Sequence, residues 1–329
     1  MILVLVGAMI LTFFLSFWMG FTDAAYAIST VIGTRTLKPI FAVCLATVGN
    51  LIGMIFGSAV AVTVGTGIIS QDFASGEVIV IALVGALIFD VIASWIFSLP
   101  ISETHVIMGG LIGSGFAAGG SRAVMTGDIL NKFIVPMIVA PPISLGIVFL
   151  ITLAVVRVCR SVAAPRANRY FKRLQILSAL FVSVTDGTND AQKTMGIATV
   201  LLLYYRYLPE FTVPLWVTLA SYITLSAGTF LGGWRIVKTM ATKITKMRPY
   251  QGFSVETGSS LILGSTALLG IPVSSTHVTN GAIMGAGLAH RAKSVKWVTS
   301  RRIVLAWILS IPVPAAFSFV LFRIVALAS

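Results

Sequence analysis

The sequence predicts an all-α polytopic membrane protein, an inverted-topology repeat with two opposed re-entrant helical hairpins and broken helices. Three observations carry this. Of 329 residues, 57% are hydrophobic and only 10% charged, against about 25% charged in soluble domains, and the mean hydropathy is +1.00. Apolar runs long enough to cross a bilayer recur along the whole chain. One pattern also occurs twice. Gly20-Phe21-Thr22-Asp23 is followed by Pro100-Ile101-Ser102-Glu103-Thr104-His105, and Gly187-Thr188-Asn189-Asp190 by Pro272-Val273-Ser274-Ser275-Thr276-His277. An intramembrane acid is expensive unless paired or solvated. Two such acids, each with its own hydroxyl-rich turn, point to one binding site assembled from two related halves.

The composition narrows the function classes. The net charge of +13 does not indicate nucleic acid, because no basic groove or aromatic platform is readable. The basic residues instead sit in short loops between apolar segments, where the positive-inside rule places them. Cys44 and Cys159 imply no disulfide framework. Met1 opens directly into Ile2-Leu3-Val4, so a cleavable signal peptide is not expected.

The apolar runs occupy roughly 1–32, 40–66, 78–99, 105–119, 133–156, 174–205, 212–232, 253–271, 277–290 and 303–328. A straight span needs about 20 residues. The runs 1–32 and 174–205 exceed this: 32 helical residues reach about 48 Å, against a hydrocarbon core of about 30 Å. Both contain the Gly/Asp motif, which is where a helix break is expected.

Lys and Arg set the sides. The segment 157–173 holds Arg157, Arg160, Arg166, Arg169, Lys172 and Arg173 without an acid and is expected in the cytoplasm. So are the loops around Arg35 and Lys38, from Arg235 to Arg248, and from Arg291 to Arg302. The loop 67–77, with Asp72 and Glu77 but no base, reads as external, as does the balanced loop 206–211. The stretch 78–119 must then start and end outside, as a re-entrant hairpin with its tip at Pro100 to His105. The stretch 253–290 starts and ends inside, with its tip at Pro272 to His277. The halves therefore face opposite ways: residues 1–157 form the first repeat, 158–173 a basic cytoplasmic linker, and 174–329 the inverted second repeat. Both chain ends fall outside. Inverted repeats typify secondary transporters, whose sites lie near the midplane at discontinuous helices. Non-helical backbone at that depth is tolerated only where it is buried in protein or lines a cavity.

The tips have a readable chemistry. Ser102, Thr104, Ser275 and Thr276 offer hydroxyls at helix starts just after a proline. Free N–H groups and the positive end of the helix dipole point the same way, which suits an oxyanion. Asp23 and Asp190 add negative charge, so a cation or a proton is expected to accompany the anion. Asn189 and Gln192 add neutral oxygens that suit a hard cation such as Na+. Candidate Na+ ligands are thus Asp23, Asn189 and Asp190, with no structural metal and no cofactor. His105 and His277 are expected to brace the hairpins. Lys193 can meet an anion or neutralise Asp190 or Asp186. Asp90 and Glu256, in the descending arms, are candidates as intramembrane acids.

These motifs resemble the inorganic phosphate transporter (PiT) family. The resemblance rests on two copies of a Gly-x-Asn-Asp-x-x-Asn-Ala-like motif and two Pro-x-Ser-x-Thr-His-like tips. The second copy, Gly187-Thr188-Asn189-Asp190-Ala191-Gln192-Lys193-Thr194-Met195-Gly196, matches closely. The first, Gly20-Phe21-Thr22-Asp23-Ala24-Ala25-Tyr26-Ala27, keeps the Gly, the Asp and the Ala frame. The resemblance spans nearly the whole chain and implies inorganic phosphate as substrate, with the aspartates serving cation coupling and the tips holding the anion. Thr22 and Tyr26 stand where the family usually has asparagine, Glu103 where it has a small or hydroxyl residue, and Asp186 where it often has histidine. Thr22 and Glu103 thereby join the candidate cation ligands.

The expected function is symport of inorganic phosphate with Na+ or H+ by alternating access, in a multi-pass protein of the cell membrane that is not an enzyme. Its expected partners are phosphate, the coupling ion, the lipid bilayer and a second copy of the chain as a homodimer. A sulfate or other oxyanion permease is the nearest rival. An anion channel and an intramembrane Ser/His hydrolase are rivals of other classes. The hydrolase would need one nucleophile–base pair rather than two inverted copies.

Overall fold

The computed structural model describes residues 2–97, 99, 101–232, 237 and 247–328. Pro100 of the first tip and most of the basic loop from Arg235 lie outside the described residues. Twelve principal helices are described: α1 (Ile2–Gly33), α2 (Pro39–Ile52), α3 (Ala59–Gly67), α4 (Gly76–Asp90), α5 (Glu103–Gly119), α6 (Val135–Val158), α7 (Ala164–Tyr204), α8 (Leu215–Leu231), α9 (Pro249–Leu268), α10 (Ser275–His290), α11 (Trp297–Leu309) and α12 (Pro312–Ala328). Among the described residues there is no strand, only an isolated bridge between Ile69 and Val124. Among the described residues, five helical segments are long and apolar enough to cross a membrane: Ile2–Gly33, Pro39–Phe56, Gly76–Ile96, Thr126–Val158 and Trp297–Ala328.

The expected break at the Gly/Asp motifs is not found. α1 runs unbroken for 32 residues and α7 for 41, straight through Asp23 and Asp190. The motif glycines serve close packing instead. A Cβ on Gly20 would collide with the carbonyl of Leu225 in α8, and one on Gly228 of α8 with the carbonyl of Phe17. On Gly187 it would lie 2.6 Å from Cα of Asn50. Lipid tails are as apolar as leucine, so membrane helices gain stability from such close backbone approach rather than from apolar burial. Glycine here sets the distance between helices.

The breaks fall elsewhere. The run 40–66 divides at Gly57, whose φ is +87°, and helix resumes at α3. The run 303–328 divides between α11 and α12, where Pro312 starts a new helix. α11 also begins earlier than the basic loop 291–302 implied, and places Arg301 and Arg302 in a helix. α7 starts within the basic linker, so its first turns carry Arg166, Arg169, Lys172 and Arg173.

Both expected hairpins are present as helix–tip–helix units. In the first, α4 passes at Asp90 into a π-helical turn, Val91–Ile96, before the tip and α5. In the second, α9 leads through the tip at Leu269–Ser274 into α10. A π turn has one residue too many for the α ladder, and such turns gather at functional sites. The largest buried apolar cluster joins α1, α3, α4, α5 and α7, with Leu15, Met19, Leu83, Met108 and Met195 at its centre. It holds the first hairpin against the two long helices.

Candidate functional site

The two tips meet at the motif segments of α1 and α7. Each return helix starts at a serine cap: Ser102 Oγ accepts the His105 N–H, and Ser274 Oγ accepts the His277 N–H, both at 3.3 Å. An N-cap of this kind satisfies one of the orphan donors of the first turn. The tips then exchange hydrogen bonds. Thr276 donates to the carbonyl of Ile101 at 2.7 Å, and Thr104 to the carbonyl of Val273 at 3.4 Å. Each carbonyl also accepts from the long helix of its own half: Ile101 from the Tyr26 hydroxyl at 3.0 Å, Val273 from Asn189 Nδ2 at 2.9 Å. Tyr26 and Asn189 are not equivalent motif positions, yet they do the same work.

The histidines tie the hairpins together. Their rings lie edge to face with centroids 4.5 Å apart, and His277 packs on Trp307 at 3.8 Å. His105 Nδ1 faces the Ser310 hydroxyl at 2.8 Å and the Trp307 carbonyl at 3.2 Å. His277 Nδ1 faces the Met137 carbonyl at 3.4 Å.

Around the tips lies a cluster of buried carboxyl groups. Asp23, Asp90, Glu103, Asp186 and Asp190 are each no more than 5% exposed. Lys193, 1% exposed, pairs with Asp190 at 2.5 Å. The contact places its ammonium on the Asp190 carboxylate. Ser275 approaches the same aspartate at 3.4 Å. Thr22 donates to Glu103 Oε1 at 2.8 Å and also lies near the carbonyls of Trp18 and Met19. Both oxygens of Asp23 and of Asp90, together with Glu103 Oε2, Asp186 Oδ1 and Asn189 Oδ1, have no donor. So many buried acceptors without a protein donor call for a proton or a cation in the cluster.

Gln192 departs from expectation. Its Oε1, proposed above for a cation, accepts the backbone N–H of Val60 at 2.7 Å and of Ala61 at 3.3 Å. It thereby caps α3 where the chain restarts after Gly57. The unpartnered atom is Nε2, an N–H donor, which is not a cation ligand. Ser102 likewise spends its oxygen on the cap, and its counterpart in the second tip is Ser274, not Ser275. Superposing the two Pro-x-Ser-x-Thr-His strings pairs Ser102 with Ser274 and Glu103 with Ser275, so this signal was in the sequence.

Glu256 stands apart. Its Oε1 accepts from Thr30 at 2.5 Å and Gln175 Nε2 at 3.0 Å, and its Oε2 from Ser178 at 2.5 Å. Gln175 Oε1 in turn accepts from Thr34 at 2.9 Å and Thr36 at 2.7 Å. This network links α9 of the second hairpin to α1 and α7. Thr30, Gln175 and Ser178 carried no motif and were not singled out from the sequence.

Comparison with known proteins agrees over the full length. The sequence model of the Phosphate transporter family matches residues 19–318. A probable low-affinity inorganic phosphate transporter from Rhizobium meliloti is 40% identical over 316 residues, covering 95% of this chain and 94% of the relative. One from Bacillus subtilis is 36% identical over 299 residues, covering 90% and 89%. A solved structure described as the sodium-dependent phosphate transporter superposes with a TM-score of 0.85 at 25% identity, over 99% of this chain and 100% of that one. With the family model matched over most of its length and relatives at 36–40% identity, the chain belongs to the phosphate transporter family.

Proposed function

We propose that the protein is a secondary active symporter that carries inorganic phosphate across the cell membrane together with Na+ or H+, by alternating access. The observation that carries this reading is the reciprocal contact of the two hairpin tips beside Asp23 and Asp190. Two matching tips that bond to each other, each backed by its own long helix, suit a site reached alternately from two sides. Asp23 and Asp190 organise the cation, with Asn189 Oδ1, Thr22 and Glu103 as further ligands. The tips hold the anion through Thr104, Thr276, Ser275 and the free N–H groups at the starts of α5 and α10, with Ser102 shaping the first of them. His105 and His277 brace the tips against each other, and Asp186 and Lys193 balance the charge around Asp190.

The names of the relatives and the unpaired carboxylate oxygens support the same reading: a phosphate entering this acidic cluster needs positive charge to come with it. The inverted arrangement of residues 1–157 and 174–329, external chain ends and a homodimer complete the proposal.

The test is radiolabelled phosphate uptake into proteoliposomes, with Na+ and pH gradients imposed separately and sulfate offered as competitor. Uptake driven by either gradient and resistant to sulfate is expected. Uptake of sulfate in preference to phosphate would make the protein an oxyanion permease of another substrate. Conductance far above transporter turnover in planar bilayers would make it a channel.

A further inference from the structure

α7 and α9 run side by side in the same direction. Near their starts the ring of Phe171 meets those of Tyr250 and Phe253, at 6.4 and 5.6 Å. Further along, a Cβ on Gly264 would lie 3.1 Å from Thr185 Cγ2. A groove of about 440 Å³ lies between the two helices, within the usual range of small-molecule sites, about 300–1,000 Å³. Leu174, Leu177 and Phe181 of α7 and Leu261 of α9 line it, and all four are exposed. The hydroxyls along the groove are turned inward: Ser178 donates to the Glu256 carboxyl, Thr185 to the Phe181 carbonyl and Ser260 to the Glu256 carbonyl. The surface left to a ligand is hydrocarbon.

The same face of α7 becomes basic toward its start. Arg166, Tyr170, Arg173, Leu177 and Phe181 follow one another at three or four residues, which sets them in one stripe. Arg248, the residue before α9, stands at the same end, because Tyr250 packs on Phe171. Arg166, Arg173 and Arg248 are exposed. Among the described residues the ion pairs are Lys132–Asp128 and Lys193–Asp190, so no acid answers these three arginines. Lys172, on the opposite face of α7, is spent on the Arg35 carbonyl at 3.2 Å. Tyr170, 58% exposed between the two arginines, suits the level at which a membrane helix leaves the hydrocarbon.

Basic helix ends are common in membrane proteins. Here the basic end continues into an open apolar groove, and one ligand must satisfy both. Free phosphate would leave the groove empty, and an uncharged chain would leave the arginines unused. A second copy docked through the same face would set this cluster against its own like charges, because a two-fold interface pairs a patch with itself. Arginine binds phosphate through a planar fork of donors, and basic pockets between membrane helices suit anionic headgroups. We propose that the groove between α7 and α9 binds one anionic phospholipid. Arg166, Arg173 and Arg248 hold its phosphate, and an acyl chain lies along Leu174, Leu177 and Phe181. Ser178 lines this groove and donates to Glu256, so the seated chain covers the outer side of the link between the second hairpin and α7.

Native mass spectrometry of the detergent-purified protein, titrated with dioleoylphosphatidylglycerol or dioleoylphosphatidylcholine, tests the site. The first phosphatidylglycerol should bind well before any phosphatidylcholine. Arg166→Gln with Arg173→Gln should weaken it roughly 30-fold, at the usual worth of a basic residue beside an anionic membrane. Arg301→Gln with Arg302→Gln removes the same charge from α11 and should leave the binding unchanged. Thr257→Phe, which fills the groove, should weaken it without touching any arginine. Equal affinity for the two lipids, or equal loss in the two arginine pairs, overturns the site. So does displacement of the lipid by excess inorganic phosphate, or wild-type binding by Thr257→Phe. A lipid-free dimer that Thr257→Phe converts to a monomer would give the groove to a second copy and overturn the proposal as well.

Discussion

Thr276, on the return helix of the second hairpin, donates its hydroxyl to the carbonyl of Ile101 in the tip of the first. Thr104 returns the bond at Val273, at a longer 3.4 Å. The two hairpins are thus fastened by their own backbones, through side chains that the motif repeats. Replacing Thr276 by Val keeps the shape and removes the donor. The Ile101 carbonyl keeps its bond from Tyr26, so stability should fall by only about 1 kcal/mol. Phosphate uptake should fall far more than folding. Uptake rate and thermal unfolding in detergent, measured on the same preparation, check the difference.

The pair between Lys193 and Asp190 is buried on both sides. Removing one partner of such a pair leaves an uncompensated charge and costs about 3–5 kcal/mol. Lys193→Met should therefore destabilise the protein severely. Adding Asp190→Asn to it should recover much of the loss, because the stranded charge goes too. A double-mutant cycle on unfolding temperature shows whether the two substitutions couple.

Gly20→Ala should destabilise by about 1–3 kcal/mol, the usual range for overpacking, because its Cβ meets the carbonyl of Leu225 across the α1–α8 contact. Gly7, in the same helix, has nothing within 4 Å of the same added atom. Gly7→Ala should be neutral or stabilising, as alanine is the better helix former by about 1 kcal/mol. Thermal melts of the two variants in parallel test whether the motif glycine is there for packing.

Glu256→Ala should leave Thr30, Gln175 and Ser178 without their acceptor. Each unsatisfied buried donor costs about 1–3 kcal/mol, less where Ser178 turns to the Gln175 carbonyl 3.3 Å away. Glu256→Gln keeps one carbonyl oxygen and should lie between the alanine variant and the wild type. Limited proteolysis of α9, compared across the three proteins, reports how firmly the second hairpin is held to α1 and α7.

Much of this was legible in the sequence because its signals are local. Composition, the apolar runs and the repeated strings identified the all-helical class and the residues of the two tips, but not the divisions within 40–66 and 303–328. The apparent break at Gly20 and Gly187 misled because length alone cannot tell a helix that bends from one that runs long or tilted. A glycine's purpose is decided by what lies opposite it, here Leu225 and Asn50, and those partners are distant in sequence. Gln192 illustrates the same limit. Its amide was visible, but the two N–H groups that occupy its oxygen belong to Val60 and Ala61. Tyr26 looked like a lost asparagine. Only the fold shows its hydroxyl on the Ile101 carbonyl, doing for the first tip what Asn189 does for the second.

The unbroken course of α7 joins the basic linker to the buried ion pair through a single helix. From Lys172, whose Nζ donates to the Arg35 carbonyl, to Lys193 beside Asp190, the chain is one helix without a joint, about 32 Å long at 1.5 Å per residue. A rod of this kind transmits twist and thrust without absorbing them. The charged end of α7 and the buried ion pair therefore sit on one continuous helix, whereas the helical course is interrupted at the hairpin tips, at Gly57 and at Ser310.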